Sequence, residues 1–144
     1  MLILLQQLLK DKTLLQVDRR AKYLLLRFEN GTLLIHLGMS GSLRICALNT
    51  PAQKHDHADF QFNDCLLRYT DPRRFGAILW LGKDPESSPL LSILGPEPLS
   101  ESFTAEWLYQ ESRNRKVPVK QFIMDQKVVT GVGNIYATEA LFSA

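Results

Sequence analysis

Two cysteines in 144 residues, Cys46 and Cys65, are too few for a disulfide framework. They are far apart and form no CxxC pair, which excludes a zinc ribbon or finger built from this chain. They read as reduced, partly buried thiols of an intracellular protein. No apolar run reaches membrane length. The opening "MLILLQQLLKDK" is too short to span a bilayer and has no basic residues ahead of its apolar stretch, so the chain reads as cytoplasmic. Charge of one sign is also scarce. Seventeen Lys and Arg stand against 15 Asp and Glu, a formal net charge of +2, so bulk charge does not announce a nucleic-acid partner. Histidine is limited to three residues. His55 and His57 are spaced to share one strand face, but a metal site would need a third ligand from His36, Asp56 or Asp59. A phosphate or sugar contact from one imidazole, with the other structural, suits the pair better.

The composition, 45% hydrophobic and 22% charged, belongs to a globular protein with room for one domain and part of a second. The first two-thirds read as strands. "TLLQVDRR" and "KYLLLRFENGTLLIHLGMSG" carry β-type apolar runs, with Asn30-Gly31 as the expected hairpin turn. "HADFQF", an Asn63-Asp64 turn and "CLLRYT" form a second hairpin, and "GAILWLG" closes the set. Short strands at this spacing imply an antiparallel sandwich or barrel. After Gly82 the pattern becomes helical. "LLSIL" stops at Gly95-Pro96, and Ser102 is the expected N-cap of a helix running to about Ser112. Val119–Met124 is another short helix. "TGVGN" is a glycine-rich turn, with Asn134 as the expected cap of a last helix. The fold class is therefore α+β, with a β-sandwich over residues 1–95 and a partial helical domain over 96–144. The boundary falls somewhere between Gly82 and Ser102.

Four stretches hold residues that a fold alone does not require. "RYTDPRRFGAILW" sets Arg73, Arg74 and Phe75 on one turn, where charge is costly to bury and an exposed Phe wastes apolar surface. "HLGMSGSLR" leaves Met39 at the tip of a polar turn. Such a Met either folds back on the core or serves as a wedge into a base step. Lys22 in "DRRAKYLLL" enters an otherwise apolar strand, so its ammonium reaches the sheet end or a cleft. In "VKQFIMDQKVVTGVGNIYATEALF", backbone N–H groups, Asn134 and Tyr136 converge near Lys120. That arrangement suits an anion, and equally an ordinary helical hairpin.

Together "RRAKYLLL", "IHLGMSGSLR", "KHDH", "LRYTDPRRFG", "LGPEPL" and "MDQKVVTGVGNIYATEALF" resemble bacterial formamidopyrimidine-DNA glycosylase, from about Leu14 to Ala144. "GVGNIYATEALF" is similar to the helix–two-turn–helix element of that superfamily. The resemblance implies base-excision repair: removal of oxidised purines such as 8-oxoguanine and formamidopyrimidines, then cleavage of the abasic strand. The partner it implies is double-stranded DNA with oxidised purines or abasic sites, bound by a monomer away from membranes. By resemblance, Met39, Arg73 and Phe75 fill the space of an extruded nucleotide. His55, Arg73, Arg74, Arg115, Lys120, Asn134 and Tyr136 are the implied DNA contacts. Lys22 is the implied proton donor in strand elimination.

The departures set further expectations. The family's nucleophile is an N-terminal proline amine followed by a glutamate. This chain begins Met1-Leu2, so a catalytically incomplete fragment, whose first domain lacks its N-terminal helix and catalytic start, is expected, inactive in isolation. The family's zinc lies in a C-terminal finger with no counterpart here, so no metal or other cofactor is expected. The alternative is a non-catalytic damaged-DNA-binding remnant or pseudoenzyme.

Overall fold

A computed structural model describes residues 2–144. Met1, where the expected absence of a proline nucleophile falls, lies outside the described residues. The chain divides into two compact units, Met1–Lys83 and Asp84–Ala144, so residues 84–95 belong to the second unit and not, as expected, to the first.

The first unit opens with helix α1 (Leu2–Leu9), where the sequence reading expects no N-terminal helix. Leu5 and Leu9 lie on one face at helical spacing and pack onto the sheet core, which gives the apolar opening segment its partner. Asp11 then turns left-handed at φ 56°. Asn30 Nδ2 donates to the Leu8 carbonyl at 2.7 Å, satisfying one of the acceptors left over at the helix end.

Seven strands follow: β1 (Leu14–Arg20), β2 (Tyr23–Phe28), β3 (Gly31–His36), β4 (Ser42–Cys46), β5 (Asp56–Gln61), β6 (Leu66–Thr70) and β7 (Ala77–Gly82). They make two antiparallel sheets, ordered β1-β2-β3-β7 and β4-β6-β5. The expected sandwich is present. Leu26, Phe28, Leu33 and Ile35 of the larger sheet meet Leu43, Phe60 and Leu67 of the smaller one. Burying each such side chain contributes about 1.5–3 kcal/mol.

One turn differs from expectation. Phe28 pairs with Gly31, so the β2–β3 turn residues are Glu29 and Asn30 rather than Asn30-Gly31. Gly31 is the first residue of β3, at φ 154°, and a Cβ there would come within 2.5 Å of Trp80 Cζ2. The glycine is needed for close packing, and the Asn serves α1.

The second unit contains a 3₁₀ turn (Pro85–Ser87) and four helices: α2 (Pro89–Ser92), α3 (Ala105–Ser112), α4 (Val119–Ile123) and α5 (Asn134–Ser143). Its core is Phe122, Val128 and Val129, with Phe103, Leu108, Ile123 and Val132 against it. Trp107 Nε1 donates to the Val128 carbonyl at 2.8 Å. Two expected caps move. Thr104, not Ser102, caps α3, its hydroxyl accepting from Trp107 N. Gly133 occupies the cap position of α5, and Asn134 is the first helical residue. Ser102 is instead paired with Ser100, Oγ to Oγ at 2.8 Å. Among the described residues no helix is long and apolar enough to cross a membrane.

Candidate functional site

The residues singled out from the sequence fall into two groups, one in each unit. In the first unit the centre of the group is Asp71, which no expectation named. β6 ends at Thr70, and Asp71 begins the loop to β7 with its side chain fully buried. A buried carboxylate needs donors, and this one has four. Ser40 Oγ donates to Oδ1 at 2.7 Å, and the Arg73 amide reaches the same oxygen at 3.2 Å. Tyr69 hydroxyl and the Gly76 amide both donate to Oδ2 at 2.9 Å. The Ser40 hydroxyl and the Gly76 amide hold the Asp71 carboxyl far below its ordinary value of 3.8, outweighing the opposing effect of burial. Burial, and then the hydrogen bond it donates to Asp71, push the Tyr69 phenol up to about 12.

These bonds shape two loop tips. Gly41 N donates to the Leu37 carbonyl at 2.8 Å, closing a tight turn with Met39 at its tip. Gly38 is left-handed at φ 63°, and a Cβ on it would come within 2.7 Å of the Phe75 carbonyl carbon and 2.8 Å of Gly76 N. The Leu37–Gly41 turn and the Asp71–Gly76 loop therefore touch backbone to backbone. At Gly76 a Cβ would overlap the Tyr69 hydroxyl, which explains the second glycine. Met39 is 77% exposed and Phe75 57% exposed, so neither folds back on the core. The Arg73 guanidinium lies over the Phe75 ring, 4.7 Å from its centroid. Arg74 is exposed and held left-handed at φ 56°. A non-glycine residue there carries about 1–2 kcal/mol of strain.

His55 and His57 take different environments. His57 sits at a bulge, because Asp56 pairs with Thr70 and Ala58 with Tyr69. The simple alternation expected of the pair is therefore broken. His57 Nε2 is 2.8 Å from the Asp71 carbonyl, an acceptor, so that nitrogen carries the proton. His55 lies just before β5, and its carbonyl accepts from Asp71 N at 3.0 Å. The loop leading to it is clamped by Arg68, 2% exposed. Arg68 forms a fork with Asp59 at 2.7 and 2.8 Å, donates to the carbonyls of Thr50 at 2.8 Å and Pro51 at 2.9 Å, and lies 3.4 Å from Asp56. Such a guanidinium is buried only because every donor direction finds an acceptor. Lys22 is exposed at the two-residue β1–β2 turn, after left-handed Ala21 (φ 55°), and so stands at the sheet end.

In the second unit, the turn between α4 and α5 is organised by another unnamed residue, Gln126. Its Oε1 accepts from Thr130 Oγ1 at 3.1 Å and from Gly131 N at 3.0 Å. Thr130 N donates to the Pro96 carbonyl at 2.9 Å, and Gly95 N to the Gln126 carbonyl at 2.8 Å. "LGPEPL" is thereby tied to the turn. Asn134, Ile135 and Tyr136 start α5 and are exposed, with Ile135 at 74% and Tyr136 at 77%. Lys120 is in the first turn of α4, half-buried. Arg115 pairs with Glu111 at 3.3 Å and lies 5.9 Å from the Phe122 ring centroid.

Cys46 and Cys65 are separate free thiols, and among the described residues no three His, Cys, Asp or Glu side chains gather as metal ligands. The residues present do not fit a zinc finger. Asp71 and Gln126 were missed because each reads as an ordinary loop polar residue. The available signal for Asp71 was the company of Gly38, Gly41 and Gly76, which together imply close backbone approach.

Two family models match the chain: the formamidopyrimidine-DNA glycosylase N-terminal domain over residues 4–78, and the H2TH domain of the same enzymes over residues 94–144. The formamidopyrimidine-DNA glycosylase of Psychromonas ingrahamii is 76% identical over 136 residues, covering 94% of this chain and 50% of its own length. That of Yersinia enterocolitica is 60% identical, covering 94% and 51%. The chain thus spans about half the length of the curated relatives it matches. Among solved structures, Lactococcus lactis formamido-pyrimidine DNA glycosylase bound to DNA with an AP site matches at TM-score 0.89 and 34% identity, covering 97% of this chain and 55% of that one. The same enzyme with FAPY-dG DNA matches at TM-score 0.90 and 34% identity, covering 96% and 53%.

Proposed function

Because this chain belongs to the formamidopyrimidine-DNA glycosylase family, we propose that it serves base-excision repair, as the duplex-opening part of a glycosylase and AP lyase acting on oxidised purines. The observation that carries this is the exposed Met39, Arg73 and Phe75 on two touching loops around one buried carboxylate. Two unpacked apolar side chains beside a guanidinium have no structural use there. They match what an extruded nucleotide leaves behind: a gap to fill, a base step to hold open, and an orphaned base to hydrogen-bond. Unstacking costs a few kcal/mol per step, and inserted side chains offset it.

In this reading Met39 enters the gap, Phe75 wedges beside the estranged base, and Arg73 bonds that base. His55 and Arg74 in the first unit hold phosphates, as do Arg115, Lys120, Asn134 and Tyr136 in the second. Phosphate contacts set register without reading sequence. Lys22 donates the proton in strand elimination. Similarity to solved DNA complexes supports the partner, double-stranded DNA with abasic or oxidised-purine sites. In this reading the chain's site of action is the cytoplasm.

The test is equilibrium binding to a duplex with a tetrahydrofuran abasic analogue, against the undamaged duplex, across a salt series. A fluorescent aminopurine opposite the lesion reports unstacking. Preference for the abasic duplex with increased fluorescence is expected. Equal affinity for both duplexes without unstacking would refute the reading.

A further inference from the structure

The two loop tips carrying Met39 and Arg73-Phe75 come from different β connections, 31 positions apart at the Ser40–Asp71 contact. Nothing in either loop alone fixes where one tip stands against the other. A side chain links them: Ser40 Oγ donates to Asp71 Oδ1 at 2.7 Å, a charge-assisted hydrogen bond. The same carboxylate holds the Arg73 and Gly76 amides at 3.2 and 2.9 Å, one at each end of the Arg73–Phe75 segment. Its backbone carbonyl holds His57 at 2.8 Å, and its amide holds the His55 carbonyl at 3.0 Å. One residue thus ties together three segments that bear expected DNA contacts.

Resting on the function proposed above, we propose that Asp71 is a positioning residue. Through Ser40 and Gly76 it locks the Met39 tip and the Arg73–Phe75 tip in one register, so that they enter the duplex as a single rigid wedge. Pre-organisation of this kind matters because ordering two mobile tips at the moment of insertion would cost conformational entropy. An aspartate is required. A backbone N–H faces each oxygen, Arg73 at Oδ1 and Gly76 at Oδ2, so an amide nitrogen in either place would oppose one of them. Pro72 removes a further backbone donor from the loop and fixes φ there, which stiffens the tip.

The test uses Ser40→Ala, which removes the side-chain bond between the loops and leaves their backbone contact at Gly38 in place, with Ser40→Thr as the hydroxyl-retaining rescue and Asp71→Asn as the stronger lesion. In the DNA-free chain with labelled methionine methyls, Ser40→Ala is expected to shift the Met39 methyl and Phe75 amide resonances, leaving Leu33 and Ile35 unmoved. Unmoved Met39 and Phe75 resonances would overturn the lock, whatever the chain does with DNA.

With the abasic duplex at saturating protein, Ser40→Ala is expected to lower the aminopurine signal by at least half, and Ser40→Thr to restore it. Saturation removes any effect of lost affinity or of a lower folded fraction. A wild-type amplitude in Ser40→Ala would overturn the proposal. If the unsubstituted chain itself gives no signal, the proposed function fails, while the resonances still decide whether the lock exists.

Discussion

The Arg73 guanidinium stacks over the Phe75 ring at 4.7 Å, with both side chains on an exposed loop tip. Each therefore supports the other in solution, and neither is needed by the core. Phe75→Ala is expected to weaken abasic-duplex binding by the worth of one stacked base, about 1–3 kcal/mol. Arg73→Ala combined with it is expected to fall short of additivity by about 0.5–1 kcal/mol, the scale of an exposed cation–π pair. Binding titrations of the two single variants and the double variant measure this. Thermal melting is expected to be nearly unchanged in all three.

Arg74 combines strain with charge. Arg74→Gly is expected to stabilise the fold by up to about 1 kcal/mol, since glycine accepts φ 56° without penalty. The same change is expected to weaken duplex binding evenly across sequences, reducing the salt slope by about 1. Urea unfolding and a salt series of binding constants test the two halves separately.

Stability is expected to fall at both ends of the pH scale, for separate reasons. Asp71 has its folded pKa depressed from 3.8 by Ser40 and Gly76, as do Asp56 by Thr70 and Asp59 by Arg68. Below that value the unfolded chain binds more protons than the folded one. The contribution of these groups is therefore full above it and is lost as pH falls through their folded values. Tyr69 runs the opposite way. Its phenol is raised by burial from 10.0 to about 12, so the folded chain holds the proton longer and stability declines across that interval. Melting temperature against pH checks both limbs, and Tyr69→Phe is expected to remove the Tyr69 contribution to the alkaline limb.

Gln126 is the joint of the second unit. Gln126→Ala leaves Thr130 Oγ1 and Gly131 N without their acceptor. Thr130 is fully buried, so a loss of about 1–3 kcal/mol is expected in that unit. Amide exchange is expected to speed at Gly131 while the β-sheet amides of the first unit keep their protection.

Much of this molecule could be read along the chain. The β-sandwich followed from short apolar strands spaced by turn signals, and the structure places Leu26, Leu33 and Ile35 of those strands in its core. Met39, Arg73 and Phe75 drew notice separately, because apolar or bulky residues on polar turns conflict with ordinary folding economy, and the family resemblance joined them into one group. Those are local facts, and a sequence states local facts directly. The roles of Asn30, Gly31, Ser102 and Asn134 were misassigned because each depends on a neighbour supplied by another segment. Gly31 yields to Trp80, and Asn30 serves a helix end 22 positions away. Asp71 shows the limit most clearly. In the chain it is an acid before a proline in a turn. Only when β3, β5 and β6 bring Ser40, His57 and Tyr69 around it does the carboxylate become the point on which both loop tips turn. Tyr69, Arg73 and Gly76 are its neighbours in sequence, but Ser40, 31 positions away, is a donor that arrives through space, and linear order does not record it.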